Sequence, residues 1–114
     1  MKRIDVDAVL LERFGSRGLT IHHPTSGPGT LFTTTGPASM VIAVLDAAGV
    51  LGRHPAVGPQ LLMVTAGSVQ VAGGDGQWAQ LETGDAVLFA DGEEHETRAT
   101  SAATVAILQW HADR

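Results

Sequence analysis

Residues 84–95, GDAVLFADGEEH, contain the pattern that decides the fold. A short apolar run, AVLF, is followed by the turn sequence ADGE and then by a second run that begins at His95. Short apolar runs separated by turns rich in Gly and Asp are typical of β-strands in tight succession. This stretch therefore predicts two strands, at about 86–90 and 95–100, joined by a turn.

The same rhythm continues on both sides of this stretch. Further strands are predicted at about 19–23, 30–35, 38–46, 60–66, 68–73, 77–82 and 103–111, and GGDG between VQVA and QWAQL predicts a hairpin. Residues 1–17 are the one candidate helix, because Val6, Leu10, Leu11 and Phe14 recur at helical spacing. Short strands at regular intervals predict an all-β sandwich, barrel or jelly roll.

Three of these strands are apolar on both faces: MVIAVL at 40–45, LLMVTA at 61–66 and ATVAIL at 103–108. A strand with one solvated face would alternate apolar and polar residues instead, so both faces are expected to be covered. One interpretation is a central position in a small sandwich. The other is a barrel whose outer face is covered by a partner chain, and this predicts a homodimer.

Composition limits the class of protein. The 114 residues fit a single domain spanning 1–114, and 12 acidic against 7 basic residues give a net charge of −5. Without a Lys/Arg cluster, no nucleic-acid partner is expected. The absence of cysteine excludes disulfides and thiolate sites. The N-terminal MKRIDVDAVLLERF has no secretory apolar region, and no run is long enough for a membrane span, so a soluble cytoplasmic protein is expected.

The stretch from 84 onward resembles the second motif of the cupin family, G-x5-P-x-G-x2-H-x3-N. Gly84, Gly92 and His95 stand at every required interval, while Ala90 and Ala99 replace the proline and the asparagine. This resemblance implies a cupin double-stranded β-helix, a jelly-roll type barrel. Its core would cover about residues 38–110, after a short N-terminal helical or irregular segment.

The stretch GRHPAVGPQLLMVTAG, residues 52–67, resembles the first cupin motif, G-x5-H-x-H-x3/4-E-x6-G. His54 takes the place of the first histidine, Ala56 that of the second, Gln60 that of the glutamate, and Gly67 closes the motif. The HPAxxPQ form is similar to that of uncharacterised small actinobacterial cupins. Compared with the family pattern, Ala56 removes one nitrogen donor and Gln60 offers only a neutral amide oxygen.

The resemblance implies that His54, Gln60 and His95 hold a divalent transition-metal ion, such as Mn, Fe, Ni, Cu or Zn. Family members of this kind include dioxygenases, isomerases and cyclases, all of which act on small organic molecules. The alternative is a metal-free cupin that binds a small ligand in the same cavity without catalysis. Four strong ligands would have indicated a catalytic ion, whereas two imidazoles and one amide leave both hypotheses open.

Other residues are candidates for the substrate pocket. Arg53 would bind a substrate carboxylate or form a surface ion pair, Leu62 shares a strand face with Gln60, and Trp110 would wall the pocket or pack elsewhere. His22 or His23 could supply the missing nitrogen, although adjacent histidines before a proline are also typical of an exposed strand end.

The acidic residues around His95 are predicted to lie outside the site. Strand alternation turns Glu94 and Glu96 away from the face that His95 uses. Glu93 has the same parity as His95 but lies in the turn, where parity is a weak guide to direction.

Overall fold

The computed structural model describes residues 6–10, 12–24 and 38–110, apart from the side chains of residues 6, 7, 9, 23 and 24. The described strands are β1 (Val6–Leu10), β2 (Arg17–Pro24), β3 (Ala38–Pro55), β4 (Gln60–Ala66), β5 (Ser68–Ala72), β6 (Trp78–Glu82), β7 (Ala86–Phe89), β8 (Glu94–Ala99) and β9 (Ala103–Trp110). A single 3-10 turn at Arg13–Gly15 lies between β1 and β2. Within the described part, no helix is long and apolar enough to cross a membrane.

The strands form one antiparallel sheet in the order β6-β5-β8-β3-β9-β4-β7, and it curls into a nearly closed barrel. The long strand β3 joins the two halves, because its first part, from Ala38 to Leu45, pairs with β9 and its last part, from Val50 to Pro55, pairs with β8. Between them, Ala48 has a left-handed backbone with φ of 65°. β2 pairs with β3, and β1 pairs with β2.

The barrel is filled by the inward rows of its strands. Alternate residues of β4 and β9 are buried, as the period of a strand requires. The core consists of aliphatic side chains together with one phenylalanine, and its most enclosed members are Leu19, Leu45, Leu62, Val64, Val69 and Val105. The predicted all-β barrel of the jelly-roll type is thus confirmed.

The predicted strands after residue 38 are all present, and the GGDG hairpin is confirmed by the pairing of β5 with β6 and by the Gly76 N–H that donates to Gly73 O at 3.0 Å. The predicted strand at 30–35 lies outside the described residues. The prediction ended a strand at residue 46, whereas β3 runs on to Pro55. The sequence AAG there is typical of a turn, but the chain only bends near Ala48, where β3 passes from pairing with β9 to pairing with β8 while β2 remains its neighbour on both sides.

The expected N-terminal helix is wrong. Residues 6–10 form strand β1, which pairs along its whole length with β2, and of the residues described between 6 and 17 only the turn at 13–15 is helical. The helical spacing of the apolar residues is compatible with a short amphipathic helix. Pairing with the exposed edge of β2 satisfies the backbone of five residues, which a helix of one or two turns cannot do.

Candidate functional site

His54 and His95, the two motif histidines, form a cross-strand pair at one end of the barrel. His54 on β3 lies opposite His95 on β8, and their ring centroids are 4.4 Å apart at an interplanar angle of 55°. His95 is completely buried, whereas His54 is half-buried. A register shift in β3 between Leu51 and His54 sets this pairing. The fold therefore brings together two imidazoles that stand 41 positions apart, at 54 and 95, in the sequence.

Backbone carbonyls fix the tautomer of each imidazole. Nδ1 of His54 lies 2.7 Å from Gly52 O, and Nδ1 of His95 lies 3.0 Å from Glu93 O. Since a carbonyl oxygen only accepts, each Nδ1 carries the hydrogen and each Nε2 keeps its lone pair in the neutral ring. Nε2 of His95 is buried and has no hydrogen-bond partner in the described structure.

Burial keeps His95 neutral. Loss of hydration lowers the pKa of this imidazole, and the nearby His54 lowers it further, against the opposing effect of the hydrogen bond to Glu93 O. A neutral imidazole can accept a hydrogen bond or coordinate a metal ion through its unprotonated nitrogen, whereas a protonated imidazole can do neither. Nε2 of His95 is therefore available as a lone pair at neutral pH.

Gln60 presents a second buried atom without a partner. It lies at the start of β4, opposite Phe89 of β7 and Gln109 of β9, and its Nε2 donates to Oε1 of Gln109 at 2.7 Å. Oε1 of Gln60 is buried and unpartnered. The Phe89 ring stacks on His95 with centroids 4.4 Å apart, so Gln60 and His95 share Phe89 as a neighbour. The site thus offers two buried acceptor atoms without partners, on Gln60 and His95, next to the imidazole of His54.

The ring of Phe14, in the turn between β1 and β2, covers the imidazole of His54. Its ring stacks on the imidazole with centroids 4.9 Å apart and an interplanar angle of 15°. Phe14 has a left-handed φ of 60°, which a residue with a bulky side chain seldom adopts. Its carbonyl oxygen lies so close to Gly52 that a Cβ there would come within 1.5 Å, and Gly52 N–H donates to Ser16 Oγ at 3.0 Å. The turn is therefore held against β3 by contacts that only glycine at position 52 permits.

Glu93 organises the backbone around His95 and is not a pocket ligand. Its two carboxylate oxygens accept hydrogen bonds from the N–H groups of Ala90 and Gly74, each at 2.9 Å. These two bonds, with the Gly74 bond the larger influence, lower the pKa of Glu93. Its carbonyl oxygen accepts from Ala56 N–H at 2.9 Å as well as from His95. Glu93 therefore ties the β5–β6 hairpin to the turn that precedes β8, the strand of His95.

The candidate pocket residues occupy three different environments. Leu62 is fully buried on the inner face of β4 beside Gln60. Arg53 is exposed and forms an ion pair with Glu94, with Nε and Oε2 3.4 Å apart. Trp110 is 39% exposed, and on β9 it has the parity of Leu108 rather than of the inward Gln109. Of the three, only Leu62 lies on the inner face with Gln60.

Of the remaining histidines, His22 is not brought to this pair, and His111 lies outside the described residues. His22 lies opposite Ile42, at the other end of β3 from His54. His23 pairs through its backbone with Asp7, and its side chain is outside the described structure. Among the described residues, no group of three or more His, Cys, Asp or Glu side chains could hold a metal ion. A metal site built from the described residues alone would therefore need the Gln60 amide or a group brought by a ligand.

Three residues at this site were not predicted from the sequence. Gln109 and Phe89 fall on inward positions of strands that were predicted, so strand parity was the signal that could have identified them. Phe14 had no such signal, because its contact with His54 depends on the course of the chain after β1.

Glu94 and Glu96 do point away from His95, and each forms an ion pair, with Arg53 and Arg98 respectively.

Comparison with known proteins identifies the family and the fold. The cupin domain family matches residues 40–111, which include both histidines and Gln60. A search of curated proteins found no significant match.

Several solved structures have the same fold at low sequence identity. KdgF from Halomonas sp. is 19% identical with a TM-score of 0.72, over 94% of this chain and 89% of that one. A predicted oxalate decarboxylase from Thermotoga maritima is 16% identical with a TM-score of 0.72, over 94% and 93%. A cupin-2 domain protein from Rhodospirillum rubrum is 18% identical with a TM-score of 0.73, over 97% and 71%. At these identities the likeness establishes the fold alone.

Proposed function

The chain belongs to the cupin domain family, and on that basis we propose that it binds a divalent transition-metal ion together with a small organic ligand. The ion would be held by Nε2 of His54, Nε2 of His95 and Oε1 of Gln60. The observation that carries this proposal is the pair of buried acceptor atoms without partners, His95 Nε2 and Gln60 Oε1. Leaving such atoms unsatisfied is costly, so native proteins seldom retain them without a role.

The donor set is suited to a transition-metal ion in one respect and incomplete in another. Imidazole nitrogens are preferred ligands of Fe, Ni, Cu and Zn, whereas Mn prefers oxygen donors such as the Gln60 amide, and both imidazoles are in the tautomer that leaves Nε2 without a hydrogen. All three donors are neutral, however, so the charge of the ion would be unbalanced in a largely apolar barrel. The organic ligand is therefore proposed to carry an anionic group, such as a carboxylate. When bound, the ion would supply a Lewis acid to polarise an oxygen of that ligand.

Metal analysis of the purified, tag-free protein tests this proposal. We expect close to one equivalent of metal per chain after incubation with Mn, Fe, Ni, Cu and Zn salts and desalting. The variant His54→Ala/His95→Ala should lose this metal. The control His22→Ala should retain it, because His22 lies on β2 and pairs with Ile42, at the opposite end of β3 from His54. A wild-type protein without metal, or a double variant with as much metal as the wild type, would refute the proposal.

A metal-free function is the second candidate, and the aromatic rings at the site favour it. Phe14 and Phe89 each stack on one imidazole, so the lone pairs lie beside apolar walls. This arrangement suits a small molecule with an apolar body and hydroxyl or amine hydrogens that donate to His95 and Gln60. Thermal-shift screening of small alcohols, amines and hydroxy acids, with and without EDTA, separates the two candidates. Stabilisation that persists in EDTA and is lost in Gln60→Leu supports metal-free binding.

The homodimer expected from the sequence is also part of the proposal. It is supported by the outward rows of β3, β4 and β9, which are apolar although they lie outside the core cluster.

A further inference from the structure

A groove of about 410 Å³ lies on the outer side of the barrel, away from the histidine pair. It is lined by residues of β2, β3, β5 and β8 and of the turn after β8, among them Arg17, Val50, Gln70, Glu96, Arg98 and Thr100. On β8, Glu96 and Arg98 alternate with the buried His95 and Thr97, so they point away from the barrel interior. The groove is therefore separate from the candidate metal site, and its volume is in the range of small-molecule sites.

Two arginines stand on either side of this groove in one row of the sheet. Arg17 of β2 pairs with Val50 of β3, and Val50 pairs with Arg98 of β8. Because neighbouring strands are about 4.8 Å apart, the Cα atoms of the two arginines are roughly 10 Å apart. Val50 is only 6% exposed although it does not belong to the core cluster, so it forms the floor between them. Two long side chains that flank a short one can reach the same ligand.

The guanidinium group of Arg98 is held in a fixed orientation. Its Nε donates to Oε2 of Glu96 at 2.9 Å, and its Cζ lies 4.3 Å from the centroid of the Trp78 ring. Within the described part of the chain, Glu96 is the sole hydrogen-bond acceptor for Arg98, so both Nη groups remain available as donors. A donor that is already oriented loses less side-chain entropy when it binds a ligand.

The second cation, Arg17, has no such partner. It is exposed, and no carboxylate of the described side chains lies within 4.0 Å of its nitrogens. The groove therefore contains two positive side chains against one carboxylate, that of Glu96, on a chain whose net charge is −5. Gln70, which pairs with Arg98 across β5 and β8, adds an exposed amide to the same row. This local excess of donors and positive charge is suited to an anion.

We propose that this groove binds a small organic anion, whose carboxylate or phosphate oxygens accept hydrogen bonds from Arg17 and Arg98 together. A guanidinium group presents paired N–H donors that match the spacing of two such oxygens. Glu96 remains the partner of Arg98 Nε, because the anion uses the Nη groups, and the Gln70 amide would donate to a further oxygen. The site goes beyond the proposed function, since it requires neither the metal ion nor a second chain.

Two-dimensional NMR of the backbone amides tests the site, with inorganic phosphate and malonate as probes. The titrations use EDTA-treated protein at a constant ionic strength of about 0.15 M, so that neither a bound metal ion nor general screening produces the response. We expect saturable shifts at Val50, Gln70, Arg98 and Thr100, with a Kd on the order of 1 mM for the better probe. Tighter binding of phosphate would assign the natural ligand to phosphorylated compounds, and tighter binding of malonate would assign it to carboxylic acids.

Three variants locate the binding. Arg17→Gln and Arg98→Gln each remove one guanidinium group, so the Kd of the probe should rise at least about tenfold in each. The matched control Arg53→Gln removes the same charge from an exposed ion pair with Glu94 that does not line the groove, and its Kd should stay within about twofold of the wild type. The dispersion of the amide signals shows whether each variant is folded.

Two results would overturn the proposal. One is that neither probe shifts the amides of the groove more than sodium chloride does at the same ionic strength. The other is that all three variants weaken binding equally, because attraction by the overall charge would then explain the response without a site. Neither result bears on metal binding, since the titrations are made without metal.

Discussion

Glu93 is predicted to stabilise the site through its carboxylate, and the variant Glu93→Gln tests this. Its two oxygens accept from Ala90 N–H and Gly74 N–H, each at 2.9 Å. A glutamine keeps one oxygen and replaces the other by an NH₂ group, which faces a second donor. One of the two backbone N–H groups therefore loses its acceptor, and the remaining bond loses its charge assistance.

The magnitude follows from the strength and exposure of these bonds. A hydrogen bond to a charged group contributes about 1.5–3 kcal/mol when buried, and water weakens the contribution at this exposed position. We expect Glu93→Gln to lower the free energy of unfolding by about 1–2 kcal/mol. With an unfolding entropy of about 2.1 cal/mol/K for each of the 114 residues, this lowers Tm by about 4–8 °C.

The pH dependence has a definite sign. The folded-state pKa of Glu93 lies below its ordinary value of 4.5, so its stabilising effect is complete above that value and is lost as the pH falls through the folded pKa. Protonated Glu and Gln have the same charge. The gap in stability between the wild type and Glu93→Gln should therefore be full at pH 7 and should shrink as the pH approaches 3.

Urea denaturation at equal protein concentration, at pH 7 and near pH 3, provides the measurement. Glu94→Gln is the matched control, since Glu94 forms only an exposed ion pair with Arg53 at 3.4 Å and should change stability by less than about 0.5 kcal/mol. The reasoning fails if the two variants are equally stable at pH 7. It also fails if the gap between Glu93→Gln and the wild type is the same at both pH values.

Two further predictions concern the packing around the site. Gln109→Leu should lower the free energy of unfolding, measured by urea denaturation, by about 1–3 kcal/mol, because the buried Gln60 Nε2 loses its acceptor. The double variant Gln60→Leu/Gln109→Leu should lower it by less than the sum of the two single variants, and strict additivity would contradict this. Gly52→Ala should lower the free energy of unfolding by at least about 2 kcal/mol, since the new Cβ would displace the Phe14 carbonyl. The control Gly74→Ala, at an exposed position, should change it by less than about 0.5 kcal/mol, and equal losses would show that the turn is not held at Gly52.

The sequence predicted the strands better than the segments between them. Residues 60–110 alternate or form short apolar runs between Gly-containing turns, and these local signals survive in the fold as β4 to β9. Around residues 46–55 the local signal was misleading, because AAG is compatible with a turn although β3 continues through it. In the N-terminal segment, pairing with β2 prevailed over a weak helical pattern.

The candidate site was predicted in part. The cupin resemblance singled out His54, Gln60 and His95, and the structure places His54 beside His95 and connects Gln60 to them through Phe89. The resemblance did not single out Gln109, whose Oε1 accepts the hydrogen bond from Gln60 Nε2, because that contact joins two different strands, β4 and β9.

By itself, the sequence determined an all-β fold and the positions of most strands, since these depend on composition and period along the chain. Its resemblance to the two cupin motifs, rather than any local pattern, singled out His54 and His95. Only the tertiary structure decided which residues contact one another. The register shift in β3 sets His54 against His95, and the turn at residues 13–15 brings Phe14 onto His54. The pairing of β4 with β7 and β9 sets Gln60 beside Phe89 and Gln109. Each of these contacts joins residues far apart in sequence and forms only when the strands have paired in the correct register, which no local pattern specifies.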